Sequence, residues 1–210
     1  MTAEPLPTTP EPLPTTPEPL PTTLWPVPPQ DGYTVDDLLT LPGLPPHTEL
    51  IDGSLVFVSP QRYFHSIVID LLVAGLRRTA PPELRVVREM TVQLDEQNGP
   101  EPDICLVRAE AVTSRQQTRF DVADVSLAVE VVSPDSESRD RDTKPHKYAR
   151  AGIKHFWLVE MADPNDHPVV QVYELAAVTR SYALVGIHHE RLKLSVPYDI
   201  DIDLADVDNL

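Results

Sequence analysis

Along the chain, some segments space their apolar residues three or four apart, as in a helix, and others form short apolar runs, as in buried strands. The pattern predicts a mixture of helices and strands. From His65 to Arg78 apolar residues recur at helical spacing and predict an amphipathic helix on a sheet. Thr34 begins a short helix, VDDLLTL, and ELIDGSLVFVSP predicts a hairpin that turns at Asp52-Gly53. Apolar runs predict further strands at Leu84–Leu94, Ile104–Val107, Val125–Val132, Phe156–Glu160, Val169–Leu175, Tyr182–Val185 and Arg191–Val196.

The order of these elements predicts the fold class. A helix, a meander of strands and then a strand–helix–strand unit favour an α/β or α+β arrangement, with a mixed sheet flanked by helices. The last predicted helix, Pro145–Ala151, ends at Gly152. A residue before proline is disfavoured in helical geometry, so we expect Lys144 at the cap of this helix. There the helix dipole and the ammonium would both attract an anion.

The N-terminus differs from the rest of the chain in composition. Residues 4–23 repeat the unit EPLPTTP, and its prolines exclude a helix. We therefore predict a disordered or extended tail over residues 1–30 and a folded domain over residues 31–210. The tail is expected to be a spacer or to bind a proline-recognising partner.

The net charge of the chain bears on whether it has a surface for nucleic acid. The formal charge of −16 argues against a large basic nucleic-acid surface. The balance reverses between Arg139 and Lys154, where a local basic patch could face a phosphate backbone or form ion pairs on a solvated helix. The single cysteine, Cys105, excludes a disulfide within the chain and is expected in the core. No apolar run is long enough for a membrane span, which predicts a cytoplasmic protein without membrane association.

Two acidic residues are the main candidates for chemistry. Asp103 follows Pro102 at the start of the strand PDICLV, and Glu130 lies inside the apolar run LAVEVV. Two carboxylates about 4 Å apart repel by roughly 4 kcal/mol at an effective dielectric near 20, so they converge only around a neutralising group. That group is either a basic side chain or a divalent cation such as Mg²⁺, which prefers oxygen ligands.

Three strings, PDICLV, LAVEVVSP and RDRDTKPHKYARAGIKHFWLVE, resemble the Uma-type restriction endonuclease family of bacteria, within the PD-(D/E)XK nuclease superfamily. The resemblance extends from about Tyr33 to Leu204 and includes the ELIDGSLV hairpin. It implies a restriction-endonuclease-like mixed sheet flanked by helices. It also implies a Mg²⁺-dependent site that hydrolyses DNA phosphodiesters, with Mn²⁺ as an alternative metal.

Residue by residue, the resemblance implies a catalytic set. Asp103 matches the aspartate of the PD motif and Glu130 the second acid, so both are expected to bind the metal. The superfamily lysine lies two residues after the second acid, where this chain has Val132, and Lys144 is the match instead. Glu49 and His65 are expected as accessory residues, although His65 could instead be a hydrogen-bonded histidine at the edge of the core.

Two other classes of function remain open. The acidic charge and Val132 favour a catalytically inactive nuclease fold that acts as a binding or regulatory module. The domain could also be a scaffold that displays the proline repeat. A homodimer is left open as well, since enzymes that cut both DNA strands often pair two copies.

Overall fold

The computed structural model describes residues 27–162 and 166–210. The tail predicted over residues 1–30 lies outside this part of the chain, apart from residues 27–30. The predicted division into a tail and a domain over residues 31–210 therefore stays a prediction.

Three helices and twelve strands form the framework of the described residues. The helices are α1 Val35–Thr40, α2 Tyr63–Thr79 and α3 Lys144–Ala151. The strands are β1 Glu49–Ile51, β2 Ser54–Val56, β3 Leu84–Arg88, β4 Thr91–Gln93, β5 Ile104–Arg108, β6 Arg119–Asp121, β7 Val125–Val131, β8 His155–Ala162, β9 His167–Ala176, β10 Ser181–His188, β11 Arg191–Leu194 and β12 Ile200–Asp203. Across residues 27–162 and 166–210, no helix is both long and apolar enough to cross a lipid bilayer.

A six-stranded mixed sheet lies at the centre, in the order β10-β9-β8-β7-β5-β3. Strands β7 and β8 are parallel because α3 connects them, and the other neighbouring pairs are antiparallel. Successive side chains of a strand point to opposite faces of the sheet. Leu127, Val129 and Val131 accordingly pack with α2, whereas Ala128 packs with Tyr148 of α3. The prediction of a mixed sheet flanked by helices is confirmed.

The early elements form as their sequence signals predict. Thr34 caps α1 with a capping box: its hydroxyl accepts a hydrogen bond from the Asp37 amide at 3.2 Å, and the Asp37 carboxylate accepts one from the Thr34 amide at 2.8 Å. The turn between β1 and β2 places Asp52 at φ +48° and Gly53 at φ +70°, the left-handed region that an Asp-Gly pair adopts in a tight hairpin.

The C-terminal region differs from the prediction. The expected strand Arg191–Val196 ends at Leu194 and pairs with β12 as a separate two-stranded sheet, instead of completing the central one. Ile200 and Ile202 of β12 are buried against α2, while Asp203 is exposed. Asp201 and Asp203 therefore occupy the outward positions of a strand whose isoleucines point inward. The density of acidic residues in this segment hid this alternation in the sequence.

The position of Lys144 also corrects the sequence analysis. A π-helical segment, Arg139–Thr143, leads directly into α3, and Lys144 is helical at φ −65° and ψ −46°. Pro145 has no amide hydrogen, and its ring would clash with the Arg141 carbonyl in a regular α-helix. The wider π turn relieves this conflict, and the Lys144 amide bonds the Arg139 carbonyl. Lys144 thus lies inside a helix and not at an anion-binding cap.

Close packing between α2 and β12 yields a test of the fold. A Cβ added at Gly75 would lie 2.5 Å from Cγ1 of Ile202. We expect Gly75→Ala to destabilise the protein by about 1–3 kcal/mol through overpacking, although alanine gains up to about 1 kcal/mol in helix propensity. Urea unfolding measures the change. Ala74→Gly, at the exposed neighbouring position, is the control for propensity alone. A stabilised Gly75→Ala variant would contradict the packing described.

Candidate active site

A cavity of about 290 Å³ opens where β5 begins and β7 ends. Ile104 pairs with Val129, so the antiparallel register brings Asp103 opposite Glu130. The β1–β2 hairpin joins them because Leu50 bridges Gly99, and the Glu101 amide then donates to Oε1 of Glu49 at 2.8 Å. The charged and polar residues that line the cavity are His47, Glu49, Ser59, Gln61, His65, Glu89, Glu101, Asp103, Glu130, Ser136, Arg139, Asp140 and Lys144.

The Lys144 ammonium is the centre of the buried charge. Its Nζ lies 2.9 Å from Oε1 of Glu49, 3.0 Å from Oε2 of Glu130 and 3.2 Å from Oδ1 of Asp140. These four residues are 5%, 2%, 1% and 1% exposed, so water screens their interactions weakly. One ammonium therefore contacts three carboxylates, which come from a strand hairpin, a central strand and the π-helical segment.

Tyr148 completes the environment of Glu130. Its hydroxyl donates to Oε1 of Glu130 at 2.5 Å, while Lys144 donates to the other carboxylate oxygen. Lys144 and Tyr148 lie one turn apart on α3 and thus share the face that packs on the sheet. A buried carboxylate inside an apolar strand is tolerated because both of its oxygens are bonded.

Asp103 is held from two sides. Its Oδ2 accepts a hydrogen bond from the Val131 amide at 2.6 Å, which ties the start of β5 to the end of β7. Its Oδ1 lies 3.0 Å from Nε2 of His65, which is buried near the beginning of α2. His65 thus links the helix on one face of the sheet to the carboxylate at the strand end.

Burial and charge set the protonation of this cluster. Burial raises the pKa of Glu130 well above its usual value, although Lys144 opposes this shift. Burial likewise raises the pKa of Asp140. Burial alone would lower the pKa of Lys144, but the carboxylates of Glu130, Glu49 and Asp140 outweigh it and raise that pKa well above normal. Lys144 is therefore held as an ammonium at neutral pH.

The carboxylate oxygens that line the cavity are negatively charged oxygen ligands of the kind that a hard cation binds. Six carboxylates line the cavity, and Oδ1 of Asp140 is buried without a hydrogen bond to any described residue, although it lies 3.2 Å from Lys144. Within residues 27–162 and 166–210, no three Asp, Glu, His or Cys side chains converge on a single point as metal ligands. Asp103 and Glu130 lie opposite each other in the strand register, and both bring carboxylate oxygens to the cavity, the donor type that Mg²⁺ prefers.

All five residues singled out from the sequence line this cavity: Glu49, His65, Asp103, Glu130 and Lys144. Two further residues belong to the cluster. Asp140 lies in the basic run, and its spacing of four from Lys144 could have indicated a pair. Tyr148 donates a hydrogen bond to Glu130, a contact that no pattern in the sequence indicates.

The basic run does not form a continuous patch. Arg141 pairs with Glu137 at 2.7 Å and with Glu160 at 2.6 Å, and Lys147 pairs with Asp52 at 2.5 Å. Lys144 is buried. The interpretation as a helix face with ion pairs therefore describes Arg141 and Lys147, and the local patch facing a phosphate backbone stays a prediction for the rest of the run.

A family model described as "Putative restriction endonuclease", Uma2, matches residues 35–205 of the chain. The chain belongs to the Uma2 family. The matched range includes Glu49, Asp103, Glu130 and Lys144, and every residue that lines the cavity lies within it. Membership supports a nuclease function for this Uma2 chain.

A solved structure gives the fold of this Uma2 chain independent support. The chain is similar to a "putative nuclease belonging to DUF820" from Anabaena variabilis ATCC 29413, with 18% sequence identity and a TM-score of 0.65. The similarity covers 84% of this chain and 97% of the other, and at this identity it establishes the fold alone. No protein with curated annotation matches the chain.

Removal of the central ammonium tests the electrostatics of the cavity. We expect Lys144→Met to destabilise the metal-free protein by about 3–5 kcal/mol at neutral pH, because it leaves buried carboxylates unpaired. The folded-state pKa values of Glu130 and Asp140, which burial already raises, would rise further, so the folded state binds protons more tightly. The penalty should therefore shrink from about pH 8 to about pH 5.

Urea unfolding with EDTA across this pH range measures the penalty. Lys147→Met is the matched control, because Lys147 lies on the same helix but pairs with an exposed Asp52. The control should lose at most about 1 kcal/mol. A Lys144→Met penalty that does not change with pH would show that the carboxylates do not depend on the ammonium.

Proposed function

We propose that this Uma2 chain is a metal-dependent endonuclease that hydrolyses DNA phosphodiester bonds. The observation that carries the proposal is the convergence of Asp103, Glu130 and Lys144 on one cavity, within the region matched by the family. Two carboxylates and an amine beside a solvent-accessible space are the parts that a metal-assisted phosphodiesterase requires. Fold and family support the proposal, and activity is the test.

Asp103 and Glu130 are the residues we assign to Mg²⁺, with the Val131 carbonyl as a further oxygen donor. Mn²⁺ suits the same donors. When bound, the metal would polarise the phosphoryl group and lower the pKa of a coordinated water. The chain's own part is to hold the acids in place: Val131 and His65 fix Asp103, and Tyr148 fixes one oxygen of Glu130.

Lys144 contributes a fixed positive charge in this proposal. Its pKa is raised by the surrounding carboxylates, so it is suited to orient a water or to stabilise charge on the transition state. The raised pKa argues against a role as the base that takes a proton from water. Glu49 is an accessory residue that positions the ammonium, since its Oε1 lies 2.9 Å from Nζ.

Cleavage of supercoiled plasmid DNA with Mg²⁺ is the direct test. We expect the wild-type protein to nick or linearise the plasmid. Asp103→Asn, Glu130→Gln and Lys144→Met should each lower the rate by about 100-fold or more, because each removes a charge that the reaction needs.

Asp70→Asn is the control for the loss of a carboxylate. Asp70 is an exposed residue of α2 that pairs with Arg88 and does not line the cavity; its side chain is 58% exposed, so this variant should cut at the wild-type rate. No cleavage by the wild type, or full activity of Glu130→Gln, would reject the proposed mechanism.

A second candidate is a nuclease fold without catalysis that acts as a binding or regulatory module. Two observations favour it: Lys144 already neutralises Glu130, and Val132 stands where the superfamily has its lysine. Such a module would not need a metal at Asp103.

Metal titration separates the two candidates. An occupied site raises stability by mass action, by about 2.7 kcal/mol at 100 times the dissociation constant. We therefore expect Mg²⁺ or Mn²⁺ to raise the melting temperature of the wild type, but not that of Asp103→Asn. Choline chloride at equal ionic strength controls for charge screening. No rise in the wild type, or an equal rise in both proteins, would favour the inactive module.

Further assignments follow from the sequence and await their own tests. We propose a cytoplasmic protein that acts on DNA without membrane association. The proline-rich tail is proposed as a spacer or as a ligand of a partner protein, and a homodimer would allow both DNA strands to be cut. Sedimentation with and without residues 1–30 addresses the last two points.

A further inference from the structure

Arg139 differs from every other basic residue that lines the cavity. In the described part of the chain its guanidinium makes no ion pair, and its Nε is buried without a hydrogen-bond partner. The other basic residues of the lining are paired: His47 with Glu101 at 2.5 Å, His65 with Asp103 at 3.0 Å, and Lys144 with its carboxylates. Arg139 therefore has donors that nothing in the described chain satisfies.

The position of Arg139 follows from the π-helical segment. Arg139 begins this segment, and its neighbour Asp140 faces Lys144. The preceding loop places Ser136 in the cavity wall as well. The π-helical segment therefore has Arg139 at its first position, and Lys144, the first residue of α3, follows its last. One continuous stretch of helix thus brings both basic side chains to the cavity.

The charge of the cavity lining indicates what the Arg139 guanidinium could bind. A phosphodiester that enters a cavity lined by six carboxylates meets strong repulsion, and Lys144 is already surrounded by three of them. A planar guanidinium binds phosphate oxygens through two parallel hydrogen bonds, and it keeps its charge at every physiological pH. A buried donor without a partner is costly, and an incoming phosphate oxygen would satisfy it.

We propose that Arg139 binds a phosphate of the DNA substrate at the cavity, next to the bond that is cut. This rests on the proposed nuclease function. Arg139 is a substrate-binding residue that the family resemblance did not single out. It offsets the acidic lining and holds the phosphate beside Asp103 and Glu130.

Two measurements on the full chain test the role. The first is the anisotropy of a labelled DNA duplex in EDTA, titrated with protein at several salt concentrations. The second is plasmid cleavage with Mg²⁺. Arg139→Gln should weaken both binding and cleavage by about tenfold to hundredfold, the loss expected for a charged pair of hydrogen bonds. The salt slope of binding should fall by about one, because one phosphate contact is lost.

Two variants separate phosphate binding from a structural effect. Arg139→Lys keeps the charge but not the planar pair of donors, and it should recover the salt slope with only part of the cleavage rate. Arg150→Gln removes an exposed arginine from the same run, outside the cavity lining, and should match the wild type within about twofold. Melting temperatures establish that each variant is folded.

The outcomes distinguish this inference from the proposed function. Wild-type binding and cleavage by Arg139→Gln would overturn the role of Arg139 and leave the nuclease proposal standing. Weaker binding by Arg139→Gln, in a protein that never cuts, would support the phosphate contact and reject catalysis. A wild-type protein that neither binds the duplex nor cuts it would overturn both.

Discussion

One buried ammonium determines how the ends of four elements meet. Lys144 lies within 3.2 Å of carboxylates from β1, β7 and the π-helical segment, none of which could be buried so deeply without a cation. The same contacts join the hairpin, the sheet and α3 into one unit. Asp103, a fourth carboxylate of the site, accepts a hydrogen bond from the amide of Val131, the residue after Glu130, so its position depends on the geometry that this cluster fixes.

The arrangement also relates the fold to chemistry. Val132 lies two residues after Glu130, and the amine that contacts Glu130 comes instead from α3. The helix lies beside this strand end because β7 and β8 are parallel, and the crossover between them returns the chain over the sheet. A π turn next to Pro145 then adjusts the helix so that Asp140 and Lys144 both face the cavity.

The cavity is strongly acidic, so a phosphodiester would be repelled there as well as by the overall charge of −16. The proposed nucleic-acid substrate would therefore depend on a few local cations at the cavity instead of a broad basic surface. Most basic residues near the cavity are already committed to ion pairs, which leaves Arg139 as the donor group available to an anion among the described residues. Family membership and the geometry thus lead to the same region of the chain.

The sequence by itself determined the local elements and the identity of the acids. Helical spacing predicted α2, the Asp-Gly pair predicted the hairpin, and an acidic residue in an apolar strand identified Glu130, because these signals involve only neighbouring residues. Tertiary structure alone decided that Asp140 and Tyr148 share one cluster with Glu49, and that β12 pairs with β11. The contact between Lys144 and Glu49 joins residues far apart in the chain, so no local pattern predicts it. The π turn before Pro145 places Lys144 inside a helix, although the residue before a proline disfavours helical geometry. The burial of its ammonium depends on packing against other elements, which only the tertiary structure shows.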